Sequence, residues 1–242
     1  KLYSKGNDKI AVYSKEEMDK ILSELKGKEC KVVSIKKGER TNKAPLPFTT
    51  STLQQEASRA LNFPISKTMR IAQQLYEGVD VKGMGTVGLI TYLRTDSVRI
   101  SEEADSSARE FIKENYGEKY LSDDAAIKKS SKKIQDAHEA IRPSDINRVP
   151  SDIKESLSRD QFRLYQLIWK RFAASRMAKS VYETTSVKIS IGDYIFSFSA
   201  SKLLFDGFEL AYVQANKTKK EKQVVLKSLD EDSKLSVEEF EP

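Results

Sequence analysis

The hydrophobic pattern of this 242-residue chain changes character twice, and those changes constrain the fold more than any single motif. Residues 30–38 and 181–200 are rich in β-branched and aromatic side chains that alternate with polar ones, which is typical of half-buried strands. A Gly-Asp pair at 192–193 interrupts the second segment and predicts a hairpin turn. Further strands are expected over 208–215 and 234–240. The chain is therefore predicted to begin and end in one β-rich domain.

The middle of the chain carries the start and stop signals of helices. The run Ala44-Pro45-Leu46-Pro47 can continue neither a helix nor a central strand, so it predicts a domain boundary. Capping serines and terminating glycines favour helices over 14–27, 51–61, 67–77, 102–116 and 159–177, with caps at Ser14, Ser51, Ser66, Ser101 and Ser158. An apolar stripe on the last helix predicts a core contact and consists of Phe162, Tyr165, Ile168, Trp169 and Phe172.

These signals together predict an α+β fold with more than one domain. A discontinuous β-rich arch would comprise residues 1–46 and 179–242. A mainly helical domain over 47–178 would be inserted into it.

The first two helices of the predicted helical domain are separated by a tight turn and followed by a strand-like segment at 88–92, which is the order of a helix-turn-helix motif. The second helix would point its amino end at a phosphate, because Ser66, Lys67 and Thr68 combine free N–H groups, the helix dipole and a positive charge. A plainer interpretation is that Ser66 only caps the helix and that Lys67 is solvated. The glycine-rich stretch 78–88 is expected to form a flexible loop.

Composition excludes several classes of protein. Lys and Arg number 42 against 36 Asp and Glu, a formal charge of +6 that permits an anionic partner without requiring one. One cysteine and one histidine can build neither a disulfide framework nor a Cys/His zinc site. No apolar run approaches the roughly 20 residues of a membrane span. Because the first residues lack both the apolar core of a signal peptide and an initiator methionine, we expect an intracellular piece of a longer protein.

The segment GLITYLRTDS at 88–97 carries the strongest chemical signal. If it is extended, Tyr92 and Arg94 project to one side, whereas Thr91 and Leu93 point to the other. Tyrosine is a weak nucleophile because its ordinary pKa is about 10. A neighbouring guanidinium can stabilise a phenolate and the charge that builds on a phosphoryl group. A Tyr-x-Arg pair alone is weak support for catalysis, since alternation is a property of every strand.

The single histidine of the sequence, His138, stands four residues before Arg142. One helical turn would place both side chains on one face and would end at Pro143. Histidine can donate to a phosphate or change its protonation near neutrality, whereas arginine stays charged. A lone histidine is more often packed or solvated than catalytic, so this second patch needs independent support.

Four blocks of sequence resemble the signature blocks of bacterial type IA DNA topoisomerases, in that family's order: PFTTSTLQQEASRAL at 47–61, GLITYLRTDS at 88–97, QDAHEAIRPSD at 135–145 and LYQLIWKRFAASRM at 164–177. The resemblance implies that Tyr92 attacks a single-stranded DNA phosphodiester and stays joined to the 5′ phosphate, assisted by Arg94. It also implies DNA contacts by Arg94, His138 and Arg142. The arch and the helical domain would correspond to the family's domains II and III, which open a gate for strand passage before religation and relaxation of supercoils.

The resemblance leaves one part of the family's site without a counterpart. Nothing here resembles the Toprim domain, whose acidic cluster binds Mg²⁺, and the Asp230-x-Asp232 pair is expected to be a solvated loop. The implied cofactor is therefore Mg²⁺ in the intact enzyme, with no ligands in this chain and without ATP. The implied partners are single-stranded or negatively supercoiled DNA and the missing domains, in the bacterial cytoplasm and nucleoid and away from any membrane. The chain alone is expected to be inactive in relaxation.

Two other functions stay open at this point. A non-catalytic helix-turn-helix module would bind DNA with the same sensitivity to salt but would form no covalent link. A protein-interaction arch would bind no single-stranded DNA even at low salt.

Overall fold

The computed structural model describes residues 1–6, 8–122, 138–213 and 234–235. These residues form two compact units. The first unit consists of the described parts of Lys1–Thr41, Val181–Phe205 and 234–235, and the second consists of those of Asn42–Ser180 and 206–213. The units thus divide after Thr41, Ser180 and Phe205, whereas the sequence predicts boundaries after residues 46 and 178.

The described helices are α1 (Lys15–Leu25), α2 (Thr50–Leu61), α3 (Ile65–Glu77), α4 (Glu102–Tyr116), α5 (Arg159–Ser175) and α6 (Leu210–Val213). The described strands are β1 (Leu2–Lys5), β2 (Asp8–Lys9), β3 (Cys30–Asn42), β4 (Val79–Val81), β5 (Gly85–Val87), β6 (Ser180–Ile191), β7 (Tyr194–Phe205) and β8 (Lys234–Leu235). Short 3₁₀ turns lie at Glu118–Tyr120, Lys154–Ser156 and Gly207–Glu209. This mixture of a sheet-based unit and a helical unit confirms the predicted α+β class.

The first unit is built on a six-stranded sheet with the order β2-β1-β7-β6-β3-β8. Strands β6 and β7 form the predicted antiparallel hairpin, in which Ile191 pairs with Tyr194 across the Gly-Asp turn. Gly192 supplies the positive φ of 58° that this turn requires. Helix α1 buries Ile21 and Leu25 against the same end of the hairpin.

The second unit packs its helices around one hydrophobic core. The stripe predicted on α5 is confirmed by the burial of Tyr165, Ile168, Trp169 and Phe172 and the partial burial of Phe162. Two of these rings carry polar tips, and both find partners. The Tyr165 hydroxyl donates to the Arg148 carbonyl at 2.7 Å, and the Trp169 indole N–H donates to the Ile146 carbonyl at 2.8 Å. The large aromatic rings are therefore buried without leaving a polar atom unsatisfied.

The helix starts agree with the sequence at three of five predicted caps. The confirmed caps, of α1, α4 and α5, are Ser14, Ser101 and Ser158. Helix α2 is capped by Thr49 and not by Ser51, through a reciprocal capping box with Thr52. Helix α3 begins at Ile65 directly after Pro64, so the prediction that Ser66 caps it is wrong. The carbonyl of Pro64 accepts the first helical hydrogen bond, and proline's fixed φ suits this position.

The stretch 78–88 is an ordered hairpin, so the prediction of a flexible loop is wrong. Strands β4 and β5 pair from Val79 with Val87 to Val81 with Gly85. Val81 is buried in the core of the second unit, and Val79 and Val87 pack against it. These three valines explain the order, because they give the glycine-rich segment apolar side chains to bury.

The segment 208–215, predicted as a strand, begins as a 3₁₀ turn followed by α6. Gly207 has a positive φ of 50°, and a Cβ at this position would lie 2.5 Å from the carbonyl oxygens of Ala178 and Lys179. The N–H of Phe208 donates to the Ala178 carbonyl at 2.8 Å. This close backbone approach ends the strand at Phe205 and favours the helical turn.

Some predictions fall outside the described residues. Only 234–235 of the expected strand over 234–240 is described, and it pairs with β3. The Asp230 and Asp232 pair, for which a solvated loop is expected, lies entirely outside.

Candidate active site

The segment that contains Tyr92 is held by hydrogen bonds to distant parts of the second unit. The Leu89 N–H donates to the Leu75 carbonyl at 2.7 Å, and the Thr91 N–H donates to the Arg142 carbonyl at 2.9 Å. In return the Ser144 N–H donates to the Leu89 carbonyl at 2.9 Å. The segment forms one isolated bridge, between Ile90 and Pro143, and bends at Thr91 and Leu93, so it is not a regular strand.

Side chains along this segment alternate between the interior and the surface. Leu93 and Thr95 are buried, whereas Tyr92 is 43% exposed and Arg94 is exposed. This alternation is the one expected for an extended segment. The phenol and the guanidinium are thus both available at the surface.

Thr50, at the first position of α2, holds the backbone beside Tyr92. Its hydroxyl donates to the Leu93 carbonyl at 2.7 Å and accepts from the Thr95 N–H at 2.9 Å. Its own N–H donates to the Thr95 carbonyl at 2.9 Å. Sequence reasoning missed this role, because no local pattern indicates that a threonine at a helix start reaches a segment 43 residues away.

A cleft of about 270 Å³ opens beside Tyr92. The cleft is lined by Tyr76, Thr91, Tyr92, Thr95, His138 and Glu139. The Tyr76 and Tyr92 rings meet edge to face, with centroids 5.4 Å apart. The structure thus brings His138, the residue of the second predicted patch, to the same cleft as the tyrosine of the first. Tyr76 was not identified from the sequence, where it is an ordinary residue near the end of a helix.

The segment 138–142 is not helical, so the prediction that a helical turn stacks His138 on Arg142 is wrong. The Ala140 N–H donates to the Arg99 carbonyl at 2.7 Å, and Ile141 bridges to Phe48. These remote pairings, together with Pro143, compete successfully with a helix.

Arg142 is embedded in the protein, with its side chain only 12% exposed. Its guanidinium binds the Glu139 carboxylate at 2.7 and 2.9 Å and donates to the Pro143 carbonyl at 2.9 Å. His138, in contrast, is exposed. Arg142 therefore braces the wall of the cleft, while His138 presents its ring at the surface.

The predicted phosphate site at the start of α3 is partly occupied by the protein itself. The Lys67 ammonium pairs with the Asp160 carboxylate at 2.7 Å and lies 4.3 Å from the centroid of the Phe63 ring. Thr68 is fully buried, and its hydroxyl donates to the Pro64 carbonyl at 3.1 Å. Of the three predicted residues, only Ser66 is exposed.

No group of three or more His, Cys, Asp or Glu residues lies close enough to hold a metal ion in the described ranges. Within the same ranges, every helix is too short or too polar to span a bilayer.

Comparison with known proteins gives a consistent result. Residues 2–242 match a family described as DNA topoisomerase. The fold is similar to that of full-length topoisomerase I from Thermotoga maritima, with a TM-score of 0.75 and 39% sequence identity. The match covers 93% of this chain and 35% of the Thermotoga chain. The chain thus spans about a third of the length of that relative.

Proposed function

The chain belongs to the bacterial type IA DNA topoisomerases, and on that basis we propose that it supplies the nucleophile with which a longer enzyme cuts one DNA strand. The proposed nucleophile is Tyr92. The observation that carries the proposal is the exposed phenol at the wall of a cleft, on a backbone that α2, α3 and 141–144 hold in place. A nucleophile must meet its target in a fixed geometry, and such bracing favours that.

The proposed reaction is an exchange of one ester for another. The Tyr92 oxygen attacks the phosphorus of a DNA phosphodiester, and the bond from phosphorus to the 3′ oxygen breaks. The phenol loses a proton as the new bond forms, and the departing 3′ oxygen takes one up. One phosphate ester replaces another, so the reverse reaction can reseal the strand without ATP.

Charged and polar groups near Tyr92 are proposed to hold the DNA. Arg94 would bind the phosphate oxygens and offset the charge that builds during attack. His138 would donate to the same strand from the other wall of the cleft. Ser66 and Lys67 would contact the sugar-phosphate backbone of the DNA further along the same strand. For Thr68, the inward hydroxyl favours a role in holding the start of α3.

Arg142 is proposed to act indirectly. Its guanidinium is already bound to Glu139 and to the backbone, and both His138 and Glu139 line the cleft. We assign it a positioning role in place of the predicted direct contact.

The proposed substrate is single-stranded or negatively supercoiled DNA, and the remaining steps of strand passage would require the rest of the enzyme. Mg²⁺ would be held by residues outside this chain. Because the metal site and the general acid would then lie elsewhere, we expect no relaxation by the 242-residue chain alone, which an assay on supercoiled plasmid with Mg²⁺ can test.

The role of Tyr92 is tested in the intact enzyme that contains this chain. Enzyme is incubated with a single-stranded oligonucleotide labelled at its 3′ end, stopped with detergent and run on a denaturing gel. Because the tyrosine would keep the 5′ phosphate, the label should migrate with the protein. Tyr92→Phe should abolish this species completely. The matched control is Tyr13→Phe, since Tyr13 is also an exposed phenol and should be dispensable. A labelled adduct that persists in Tyr92→Phe would refute the assignment.

A second function is favoured by one observation, the packing of α2 on α3 across a turn at 62–64. Asn62 takes the left-handed conformation that lets the chain reverse there. A helix-turn-helix module of this kind would bind DNA without cutting it. Salt-sensitive binding by the wild type without any covalent adduct would support this second function over the first.

A further inference from the structure

The helical unit contains a second cavity, of about 580 Å³, that shares no residue with the cleft of Tyr92. Its walls come from the last turns of α2, one face of α5, residues near Pro45 and the segment that includes Phe208 and Tyr212. The volume lies in the range of small-molecule sites, and Leu61 and Leu167 contribute apolar wall.

The lining of this cavity is strongly cationic. Its charged members are Lys43, Arg59, Arg163, Lys170, Arg171 and Glu56. The one carboxylate among them is engaged, since Glu56 pairs with Arg59 at 2.5 Å. The remaining positive charges, Lys43 from one segment of chain and Arg163, Lys170 and Arg171 from α5, face one space, which favours an anion within it.

Lys170 is the most deeply buried of these cations, with 6% of its surface exposed. It stands on α5 one turn after Gln166 and two turns after Arg163, so all three lie on one helix face. Within the described residues the Lys170 ammonium has neither a hydrogen bond nor an ion pair, and its nitrogen is not sealed from solvent, while burial of the side chain lowers its pKa to about 8. A buried lysine without a partner is rare, because removing the charge from water is costly.

Two arginines of the lining are held by contacts that leave donors to spare. Arg163 donates once to the Leu61 carbonyl at 3.3 Å, and its guanidinium lies over the Phe63 ring. The Arg171 Nε donates to the Leu46 carbonyl at 2.6 Å. A guanidinium has five N–H groups, so both arginines keep N–H donors that could bind a ligand. A planar guanidinium can donate two parallel hydrogen bonds to the oxygens of a phosphate.

We infer that this cavity binds a phosphate ester, with Lys170 as its innermost contact and the guanidiniums of Arg59, Arg163 and Arg171 around it. The volume exceeds that of a phosphate group alone, so the leucine and aromatic walls would take the attached sugar and base. The site is independent of the proposed role of Tyr92. Two sources share this chemistry, a nucleotide unit of a DNA strand and a free nucleotide.

Isothermal titration of the 242-residue chain tests the inference, in the absence of Mg²⁺ and at fixed ionic strength and pH 7. The probes are inorganic pyrophosphate, thymidine 5′-monophosphate and a twelve-residue oligothymidylate. Pyrophosphate should bind at one site, and Lys170→Met should weaken it at least tenfold. Arg59→Ala, at an exposed position, should weaken it severalfold and serves if Lys170→Met misfolds. The matched control is Lys113→Met, which removes the same charge from an exposed position of α4 and should leave the affinity within twofold.

Competition identifies the source of the phosphate. An oligothymidylate that displaces pyrophosphate, and does so less well in Lys170→Met, supports a DNA strand as the occupant. Tighter binding of the monophosphate, with no displacement by the oligonucleotide, supports a free nucleotide. Absence of pyrophosphate and monophosphate binding, or equal affinity in the wild type and Lys170→Met, overturns the inference. Since no cleavage is involved, none of these outcomes bears on the adduct assay of Tyr92.

Discussion

Replacing Lys170 by methionine should make the protein more stable at neutral pH. Burial without a partner lowers the pKa of Lys170 from 10.5 to about 8. Each pH unit of that difference corresponds to about 1.4 kcal/mol, so the charged form costs the folded state about 3 kcal/mol. Methionine keeps most of the apolar stem and removes the charge. Solvent screening at the accessible tip of the ammonium and relaxation around it reduce this cost, so we expect a gain of about 1–3 kcal/mol in the free energy of unfolding.

The gain should depend on pH in a defined direction. Below about pH 8 the lysine is protonated in both states, and the folded state bears the full cost. Between about pH 8 and 10.5 the unfolded state binds more protons than the folded state, so the wild type gains stability as the pH rises. The difference between variant and wild type should therefore shrink across this window. Tyr212 also lines the cavity, and burial raises its pKa above the ordinary value.

Urea unfolding followed by the fluorescence of the single tryptophan measures this difference. Trp169 is buried in the helical unit beside Lys170, so it reports on the unit concerned. Wild type, Lys170→Met and the exposed control Lys113→Met are measured at pH 7 and at pH 10. The free energy of unfolding of each variant is then compared with that of the wild type at the same pH. The control should change stability by less than about 0.5 kcal/mol. A Lys170→Met protein that is less stable at pH 7, or whose gain is the same at both pH values, would refute the reasoning.

Two further substitutions test the packing around the tyrosine and the strand end. Thr50→Val keeps the shape of the side chain but removes its bonds to the backbone of Leu93 and Thr95, so we expect a loss of about 1–3 kcal/mol and at least tenfold less adduct on the denaturing gel. Ser51→Ala is its control, and an equal loss in both variants would contradict the positioning role. Gly207→Ala should cost more than about 2 kcal/mol in urea unfolding, because its Cβ would meet two carbonyl oxygens at 2.5 Å with φ at 50°. An unchanged midpoint would show that the backbone there is not constrained as described.

Local signals in the sequence were sufficient where structure depends on near neighbours. The turn at Gly192 and the capping box of Ser158 each depend on contacts within a few residues, and both predictions are confirmed. The threonines near the start of α2 show the limit of such signals. In the run Thr-Thr-Ser-Thr at 49–52 every residue can cap a helix, and the choice of Thr49 follows the burial of Phe48 just before it.

Features that depend on remote contacts could not be predicted. His138 lies outside any helix because its neighbours pair with Phe48 and with 89–91, which are far away in the sequence. Tyr76 reaches the cleft only through the packing of α3. Lys170 follows Trp169 in a helix whose charged residues are expected to be solvated, and only the fold shows that its side chain is largely buried.

The three-sided bracing of the tyrosine segment has a consequence for the fidelity of resealing. If Tyr92 carries the cut strand, the phosphorus travels with the segment to which it is bonded. Because hydrogen bonds tie this segment to its neighbours, the phosphorus can move only together with them. Its alignment with the incoming hydroxyl is therefore restored whenever that part of the protein returns. Joining would then retrace the path of cutting, and loosening any one of the three anchors would be expected to lengthen the lifetime of the break.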